Sequence, residues 1–199
     1  MKVGILGGTF DPVHFGHLDI ATQALKELSL DELIIVPVNL QPFKLDVPVT
    51  IGSHRVEMLK LAFEGMERLK ISDYELNKDE VSYTINTLNE FKKKYAGSEI
   101  WFLLGTDALL KIELWKNAKE LLTQFNLVVG SRLGYKEEEL DRQISHLEQT
   151  YMTRIHKITN KRLNISSTEI KKRIRQGKPL DKLVPLAVER YINQHALYR

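Results

Sequence analysis

Residues 7–17 of the chain read GGTFDPVHFGH and directly follow its first apolar run, KVGIL at residues 2–6. That run predicts a short buried strand, because continuous apolar stretches bounded by glycine are typical of parallel sheets. From Phe15 to Leu28, apolar residues then recur at helical spacing. The quoted stretch therefore lies in the turn between a strand and a helix, and this β-α unit begins the fold.

The same alternation of strand and helix continues along the chain. The predicted strands are residues 2–6, 33–36, 69–72, 100–104, 125–130 and 154–158. The predicted helical regions are residues 15–28, 54–63, 84–95, 107–124, 168–176 and 185–194. Alternating elements of these lengths predict an α/β fold with a doubly wound, Rossmann-like parallel sheet, right-handed crossovers and helices at its C-terminal end.

Length and composition limit the class of protein. With 199 residues and 43% apolar content, the chain suits a single domain, 1–199, in which residues 160–199 form a C-terminal helical part. A net charge of +3 is too small to imply nucleic-acid binding by itself. The absence of Cys excludes disulfides, thiolate metal sites and cysteine nucleophiles. The first apolar run is too short for a signal peptide, and no segment approaches the roughly 18 apolar residues of a membrane span, so we expect a cytoplasmic protein.

The chemistry of the GGTFDPVHFGH stretch points to an anion. Gly7 and Gly8 allow the backbone to approach a ligand closely, and a helix beginning near Phe15 directs its positive N-terminus to the same place. His14 and His17 are three residues apart, so both can face a phosphate and donate to it. Taken singly, these features have other readings, since glycines form turns, histidines cap helices and histidine pairs bind metal. Their order makes phosphate the favoured ligand.

A second stretch, ISSTEIKKRI at residues 165–174, has related properties. Ser166 and Glu169 fit a capping box, which predicts a helix start whose N-H groups and nearby hydroxyls face an anion. Between residues 154 and 178 the chain carries nine Lys or Arg and one acidic residue. Such a charge attracts a triphosphate, although an RNA-binding protein or a nonenzymatic nucleotide sensor would share it.

These two stretches resemble the signature motifs of the HxGH nucleotidyltransferase superfamily. The first resembles the T/HxGH motif, and the second resembles ISSTxIRxR, which holds the triphosphate from the opposite side. Lys171 stands where that motif has arginine, which keeps the charge but loses bidentate geometry, so Arg173 is expected to carry more of the phosphate contact.

Four further stretches narrow the resemblance to bacterial nicotinate mononucleotide adenylyltransferases. They are PVNLQPFK at 37–44, EVSYTINTL at 80–88, GTD at 105–107 with Trp115, and SRLGY at 131–135. The resemblance implies transfer of the adenylyl group of ATP to nicotinate mononucleotide. Nicotinamide mononucleotide and phosphopantetheine are the alternative acceptors. Phe43 and Leu133 depart from the histidine and proline frequent in relatives, and the sequence does not decide what these departures change.

The resemblance also implies the residues of the site. The catalytic residues would be His14 and His17. The ATP-binding residues would be Gly7, Gly8, Thr9, Phe10, His14, His17, Gly105, Asp107, Ile165, Ser167, Thr168, Lys171 and Arg173. The acceptor-binding residues would be Asn39, Lys44, Tyr83, Thr84, Trp115 and Arg132. Residues 160–199 would close the ATP site, and Mg²⁺ would be held mainly by the ATP phosphates. The partners would be small molecules, with no nucleic acid and no membrane, and a homodimer is left open.

Overall fold

The computed structural model describes residues 1–40, 42, 48–131, 136–159, 161 and 163–199, and these ranges form six strands and eight helices. The strands are β1 (Lys2–Gly8), β2 (Glu32–Pro37), β3 (Leu69–Ile71), β4 (Glu99–Gly105), β5 (Asn126–Gly130) and β6 (Ile155–Ile158). The helices are α1 (Phe15–Glu27), α2 (Gly52–Ala62), α3 (Thr84–Lys94), α4 (Thr106–Leu109), α5 (Ala118–Gln124), α6 (Glu137–Tyr151), α7 (Ser167–Arg175) and α8 (Leu186–Gln194).

The strands form one parallel sheet in the order β3-β2-β1-β4-β5-β6. β1 lies at its centre, where Ile5 is in register with Ile34 of β2 on one side and with Phe102 of β4 on the other. The order therefore reverses between β1 and β4. In doubly wound sheets the crevice for ligands lies at the carboxyl ends of the strands beside such a reversal. The predicted fold class is confirmed.

Both faces of the sheet are buried because alternate residues of each strand point to opposite sides. On β2, Leu33 and Ile35 belong to the core shared with α1, α2, α7 and α8, whereas Ile34 and Val36 belong to the core shared with α3, α5 and α6. The continuous apolar strands that the sequence shows are thus a direct consequence of two helical layers.

The helices differ from the sequence expectation in two places. Helix α6 (Glu137–Tyr151) was not predicted, although Leu140 and Leu147 lie one heptad apart and are both buried. The predicted helical region 107–124 is broken into α4, a single 3-10 turn at Ile112–Leu114, and α5. None of the helices in the described ranges has the length and apolarity needed to cross a bilayer.

Strand β1 also differs, since it continues two residues beyond the apolar run. Gly7 and Gly8 are paired with Val36 and Pro37 of β2, so they belong to the strand rather than to the turn. This extension carries the backbone of β1 to the edge of the sheet where α1 begins.

Candidate functional site

A cavity of about 630 Å³ opens at the carboxyl ends of β1 and β4. From the first motif it is lined by Gly7, Thr9, Phe10, His14 and His17. From the second motif it is lined by Ile165, Ser167, Thr168 and Lys171. The fold therefore brings together two stretches that lie at opposite ends of the chain.

His14 and His17 form one unit at the start of α1. His14 is the N-cap residue, and its backbone N-H donates to Nδ1 of His17 at 3.2 Å. The two rings stack with centroids 3.7 Å apart and planes 18° apart, and the edge of Phe10 meets the His17 ring at 4.9 Å. Because Nδ1 of His17 accepts a hydrogen bond, the ring proton lies on Nε2, and this nitrogen is a donor.

Two glycines of the motif make room for these rings. A Cβ atom on Gly16 would lie 3.0 Å from the His14 ring, and one on Gly8 would lie 3.0 Å from the Phe10 ring. Contacts this short require the ring to move. The left-handed conformation in the stretch is adopted by Phe10, with φ 48°, so these glycines serve close packing rather than a tight turn.

The second motif begins α7 as the sequence predicts. Ser166 is the N-cap, and its hydroxyl accepts a hydrogen bond from the Glu169 N-H at 3.2 Å. The hydroxyl of the next residue, Ser167, donates to the carbonyl of Pro12 at 2.9 Å. The two motifs are therefore in direct contact.

Lys171 takes part in a buried ion pair. Its ammonium group pairs with Asp11, whose side chain is 3% exposed, while Tyr198 donates to the other carboxylate oxygen at 2.7 Å. The backbone N-H of Thr50 lies 3.3 Å from the same oxygen as Lys171. Burial by itself would raise the pKa of Asp11, but the hydrogen bonds from Lys171, Tyr198 and Thr50 outweigh it and lower the pKa. Neither Asp11 nor Tyr198 was predicted from the sequence as a site residue.

Arg55 on α2 was likewise not predicted from the sequence as a site residue. Its side chain is completely enclosed, with the residue 1% exposed, and donates to the carbonyls of Thr9 at 2.8 Å, Val38 at 2.7 Å and Thr50 at 2.8 Å. One guanidinium thereby joins the segments that follow β1 and β2 to the start of α2. In the sequence, Arg55 is visible only as an arginine within a predicted amphipathic helix, and nothing local indicates that it is buried.

The ends of β4 and β2 complete the walls of this cavity. Gly105, the last residue of β4, and Asp107, in the first turn of α4, both line it, and Asp107 is exposed. The Thr106 hydroxyl between them donates to the carbonyl of Gly130 at 3.0 Å, which fixes the end of β4 against β5. Asn39 also lines the cavity, and its amide donates to the carbonyl of Lys78 at 2.7 Å.

A second cavity of about 130 Å³ adjoins the first. It is lined by Gly8, Tyr83, Thr84 and Trp115, and it shares Gly7, Thr9, Val38, Phe102 and Trp115 with the larger cavity. Trp115 is half-buried and meets Phe102 edge to face, with centroids 6.1 Å apart. The small cavity is thus walled by aromatic and backbone surface suited to a flat ring.

Two ionisable side chains also line the small cavity. The Lys116 ammonium lies 3.9 Å from the centroid of the Tyr83 ring, a cation-π contact. Glu75 is buried and accepts a hydrogen bond from the Thr87 hydroxyl at 2.5 Å. Burial raises the pKa of Glu75 above its usual value, against the hydrogen bond from Thr87.

Among the predicted site residues that the structure describes, Arg173 is not brought into these cavities. Arg173 donates to the carbonyl of Pro179 at 3.2 Å and pairs with Glu169 at 3.7 Å, and it lines neither cavity. Lys44 and Arg132 lie outside the described residues, as do Phe43 and Leu133.

Part of the basic charge of residues 154–178 is matched by acids from elsewhere in the chain. Arg154 pairs with Glu99, and Lys157 pairs with Glu137 at 2.5 Å and Asp141 at 2.6 Å. These pairs reduce the positive field that the sequence count of residues 154–178 implies.

Comparison with known proteins gives the family. The family model described as cytidylyltransferase-like matches residues 5–173. A relative from Thermoanaerobacter sp. (strain X514), named probable nicotinate-nucleotide adenylyltransferase, is 39% identical over all of this chain and 95% of its own. A relative of the same name from Clostridium botulinum (strain Eklund 17B / Type B) is 41% identical over all of this chain and 98% of its own.

Among solved structures, the fold is similar to that of Plasmodium falciparum nicotinic acid mononucleotide adenylyltransferase complexed with NaAD. The TM-score is 0.79 at 20% identity, and the match covers 99% of this chain and 97% of that one. At this identity the likeness supports the fold, while the bacterial relatives define the family. The chain belongs to the cytidylyltransferase-like family and, within it, to the nicotinate-nucleotide adenylyltransferases.

Proposed function

We propose that this chain transfers the adenylyl group of ATP to nicotinate mononucleotide, giving nicotinate adenine dinucleotide and pyrophosphate, a step of NAD biosynthesis. An oxygen of the acceptor phosphate attacks the α-phosphorus of ATP in line. The new P-O bond forms as the bond between the α-phosphorus and the oxygen bridging to the β-phosphorus breaks. The acceptor phosphate is already anionic near neutral pH, so the step needs neither a covalent enzyme intermediate nor a strong general base.

This proposal is based mainly on the two adjoining cavities. A group-transfer enzyme of this kind must hold two phosphorylated substrates so that their reacting atoms meet. The larger cavity contains both phosphate-binding motifs, the smaller contains Trp115 and the start of α3, and Gly7 and Thr9 at the end of β1 belong to both. Such positioning can contribute roughly 7 to 11 kcal/mol to lowering the barrier.

In the larger cavity, His14 and His17 would donate to the α- and β-phosphates. Their stacking and the bond between the His14 N-H and the His17 ring hold both in one arrangement before ATP binds. Preorganised donors aimed at developing charge are the main source of catalysis when no covalent chemistry is required. Thr168 and Lys171 at the start of α7 would bind the β- and γ-phosphates, with Ser167, and Asp107 would accept from the adenosine.

In the smaller cavity, the Trp115 indole would face the pyridine ring of the acceptor. Tyr83 is the N-cap of α3, and Thr84 is its first residue, so the N-terminus of this helix would bind the nicotinate carboxylate. Asn39 would contribute from the end of β2. Lys44 and Arg132 remain predicted contacts of the acceptor, and Arg173 remains a predicted contact of the triphosphate.

We further propose that residues 160–199 close the ATP site, since α7 supplies one wall of the larger cavity. A divalent cation, which we expect to be Mg²⁺, would enter with ATP and offset charge on the leaving pyrophosphate. In the part of the chain that the structure describes, no three His, Asp or Glu side chains form a metal cluster. We expect the ATP phosphates and water to hold the cation. The partners are small molecules, and the cytoplasm remains the predicted compartment.

The decisive experiment measures pyrophosphate release from Mg-ATP with four acceptors: nicotinate mononucleotide, nicotinamide mononucleotide, phosphopantetheine and glycerol phosphate. We expect the highest kcat/KM with nicotinate mononucleotide. A higher kcat/KM with either of the last two acceptors would overturn the assignment. A preference for nicotinamide mononucleotide would support adenylyl transfer but show that the acceptor is the amide rather than the acid.

A further inference from the structure

Tyr198, in the C-terminal segment, contacts Asp11, a residue that lines the larger cavity. Beyond α8, the Leu197 N-H donates to the carbonyl of Ile192 at 3.0 Å, and Leu197 and Tyr198 pack against the core around α1 and α2. The Tyr198 hydroxyl lies 2.7 Å from Oδ1 of Asp11 and 4.0 Å from the sulfur of Met58. Asp11 lines the larger cavity, whereas Tyr198 does not.

Each oxygen of the Asp11 carboxylate has its own donors. Tyr198 donates to Oδ1, while the Lys171 ammonium and the Thr50 N-H donate to Oδ2. With donors on both oxygens, the carboxylate cannot rotate without losing a hydrogen bond, and its side chain is only 3% exposed. Tyr198 also contacts the other member of the ion pair, because Nζ of Lys171 lies 5.2 Å from the centroid of the Tyr198 ring.

This arrangement restrains a side chain that would otherwise be mobile. Lysine has a flexible four-carbon stem and loses rotamer entropy when it is fixed. Its ammonium group carries three N-H donors, and the bond to Asp11 uses one of them. Lys171 lines the larger cavity, so its remaining donors can serve an anionic ligand without breaking the pair.

We propose that Tyr198 is a positioning residue for the nucleotide site: it orients Asp11, and through Asp11 it holds Lys171 in place for the triphosphate. The C-terminal segment is then part of the binding site without touching the ligand. This inference rests on the proposed function of the larger cavity as the ATP site. The pKa shifts agree with it, since the pKa of Tyr198 is raised, first by burial and then by the Asp11 charge, so the hydroxyl remains a donor.

The test compares Tyr198→Phe with Tyr191→Phe. The Tyr191 hydroxyl, on the same C-terminal part of the chain, contacts His54 at 2.9 Å and lines neither cavity, so it is a matched control. We expect Tyr198→Phe to raise KM for ATP about 3- to 10-fold, as the loss of one charge-assisted hydrogen bond predicts. In Tyr198→Phe, KM for the acceptor should stay within about twofold of wild type, because Lys171 lines the larger cavity and not the smaller one. In Tyr191→Phe, both KM values should stay within about twofold of wild type, because the hydroxyl that is removed contacts His54 rather than Asp11.

A double-mutant cycle shows whether the effect passes through Lys171. In a Lys171→Met background, adding Tyr198→Phe should leave KM for ATP unchanged, because its target has been removed. A multiplicative effect of the two changes would overturn the proposal. So would equal KM values for ATP in Tyr198→Phe and wild type. If Tyr198→Phe does not fold, Asp11→Asn replaces it, and the same selective rise in KM for ATP is required.

Calorimetric titration of each variant with ATP alone separates this inference from the proposed function. If no acceptor is turned over, the proposed reaction is wrong, while the affinities for ATP still decide the role of Tyr198. Weaker ATP binding in Tyr198→Phe than in Tyr191→Phe supports the positioning role. Equal ATP binding in the two variants contradicts it.

Discussion

The hydroxyl of Ser167 donates to the carbonyl of Pro12 at 2.9 Å across 155 residues of sequence. Pro12 lies in the segment between β1 and α1, and Ser167 is the first residue of α7. The bond directly joins the two stretches that the sequence predicts to bind phosphate. The larger cavity is therefore assembled in the folded chain, and ATP would bind to walls that are already in contact.

Replacing Ser167 by alanine should weaken this junction. We expect the free energy of unfolding to fall by about 0.5 to 1.5 kcal/mol, the typical value of one hydrogen bond, and KM for ATP to rise. Urea denaturation and steady-state kinetics measure the two effects. Ser145→Ala is the control, since that exposed hydroxyl bonds only within its own helix, to the carbonyl of Asp141 at 3.0 Å. Equal KM values in both variants would contradict the prediction.

His17→Ala should lower kcat by about 10²- to 10³-fold, the usual cost of losing one donor to a transition-state charge. His146→Ala provides the comparison, because His146 is an exposed residue paired with Glu113 at 3.2 Å outside both cavities. Thermal unfolding establishes that both variants are folded. If folded His17→Ala turned over as fast as wild type, the proposed mechanism would be wrong.

Gly16→Ala should impair catalysis through His14, because the new Cβ would lie 3.0 Å from the imidazole and force the ring away from His17. A fall in kcat of about tenfold or more is expected, as small displacements of positioned groups are costly. Gly52→Ala is the matched control, since its Cβ would also lie 3.0 Å from a neighbour, but this is the end of the flexible Leu76 side chain. A similar kcat in both variants would show that the short contact at His14 is harmless.

Asp11→Asn should reveal a pH-dependent part of the stability. The pKa of Asp11 in the folded chain lies below 3.8, so the carboxylate stabilises the fold above that value, and this contribution is lost as pH falls through the folded pKa. Near neutral pH the variant should be less stable than wild type by up to about 3 kcal/mol, because Lys171 loses its partner. The difference in unfolding free energy between the variant and wild type should disappear as pH falls below about 4. Urea denaturation across this range measures it, and a gap independent of pH would exclude the assignment.

Glu75→Gln should show the opposite trend with pH. The pKa of Glu75 is raised above 4.5 in the folded chain, so its ionisation costs stability as pH rises from 4.5 through the folded pKa. Glutamine cannot ionise, and its oxygen can still accept from Thr87. The variant should therefore gain stability relative to wild type as pH rises from about 4.5 through the folded pKa of Glu75. A difference in unfolding free energy that stays constant over this range would show that Glu75 titrates normally.

Local signals in the sequence predicted most of the fold. The strands of the sheet are short apolar runs, and α1, α3 and α8 have apolar residues at helical spacing, so periodicity alone places them. Ser166 as the cap of α7 was also predicted, since a capping box needs only residues three apart. Helix α6 was missed although its apolar residues had the right spacing, and the extension of β1 through Gly7 and Gly8 depends on pairing with β2, which is a tertiary contact.

The sequence by itself determined a doubly wound sheet and predicted two stretches that bind phosphate, because periodicity and helix caps act over a few residues. Only the tertiary structure decided what surrounds those motifs. The pairing of Lys171 with Asp11, the bond from Tyr198 and the placement of Arg55 join residues far apart in the chain. Such contacts depend on which buried polar groups the packed helices bring together, and buried charges must find partners wherever the fold supplies them.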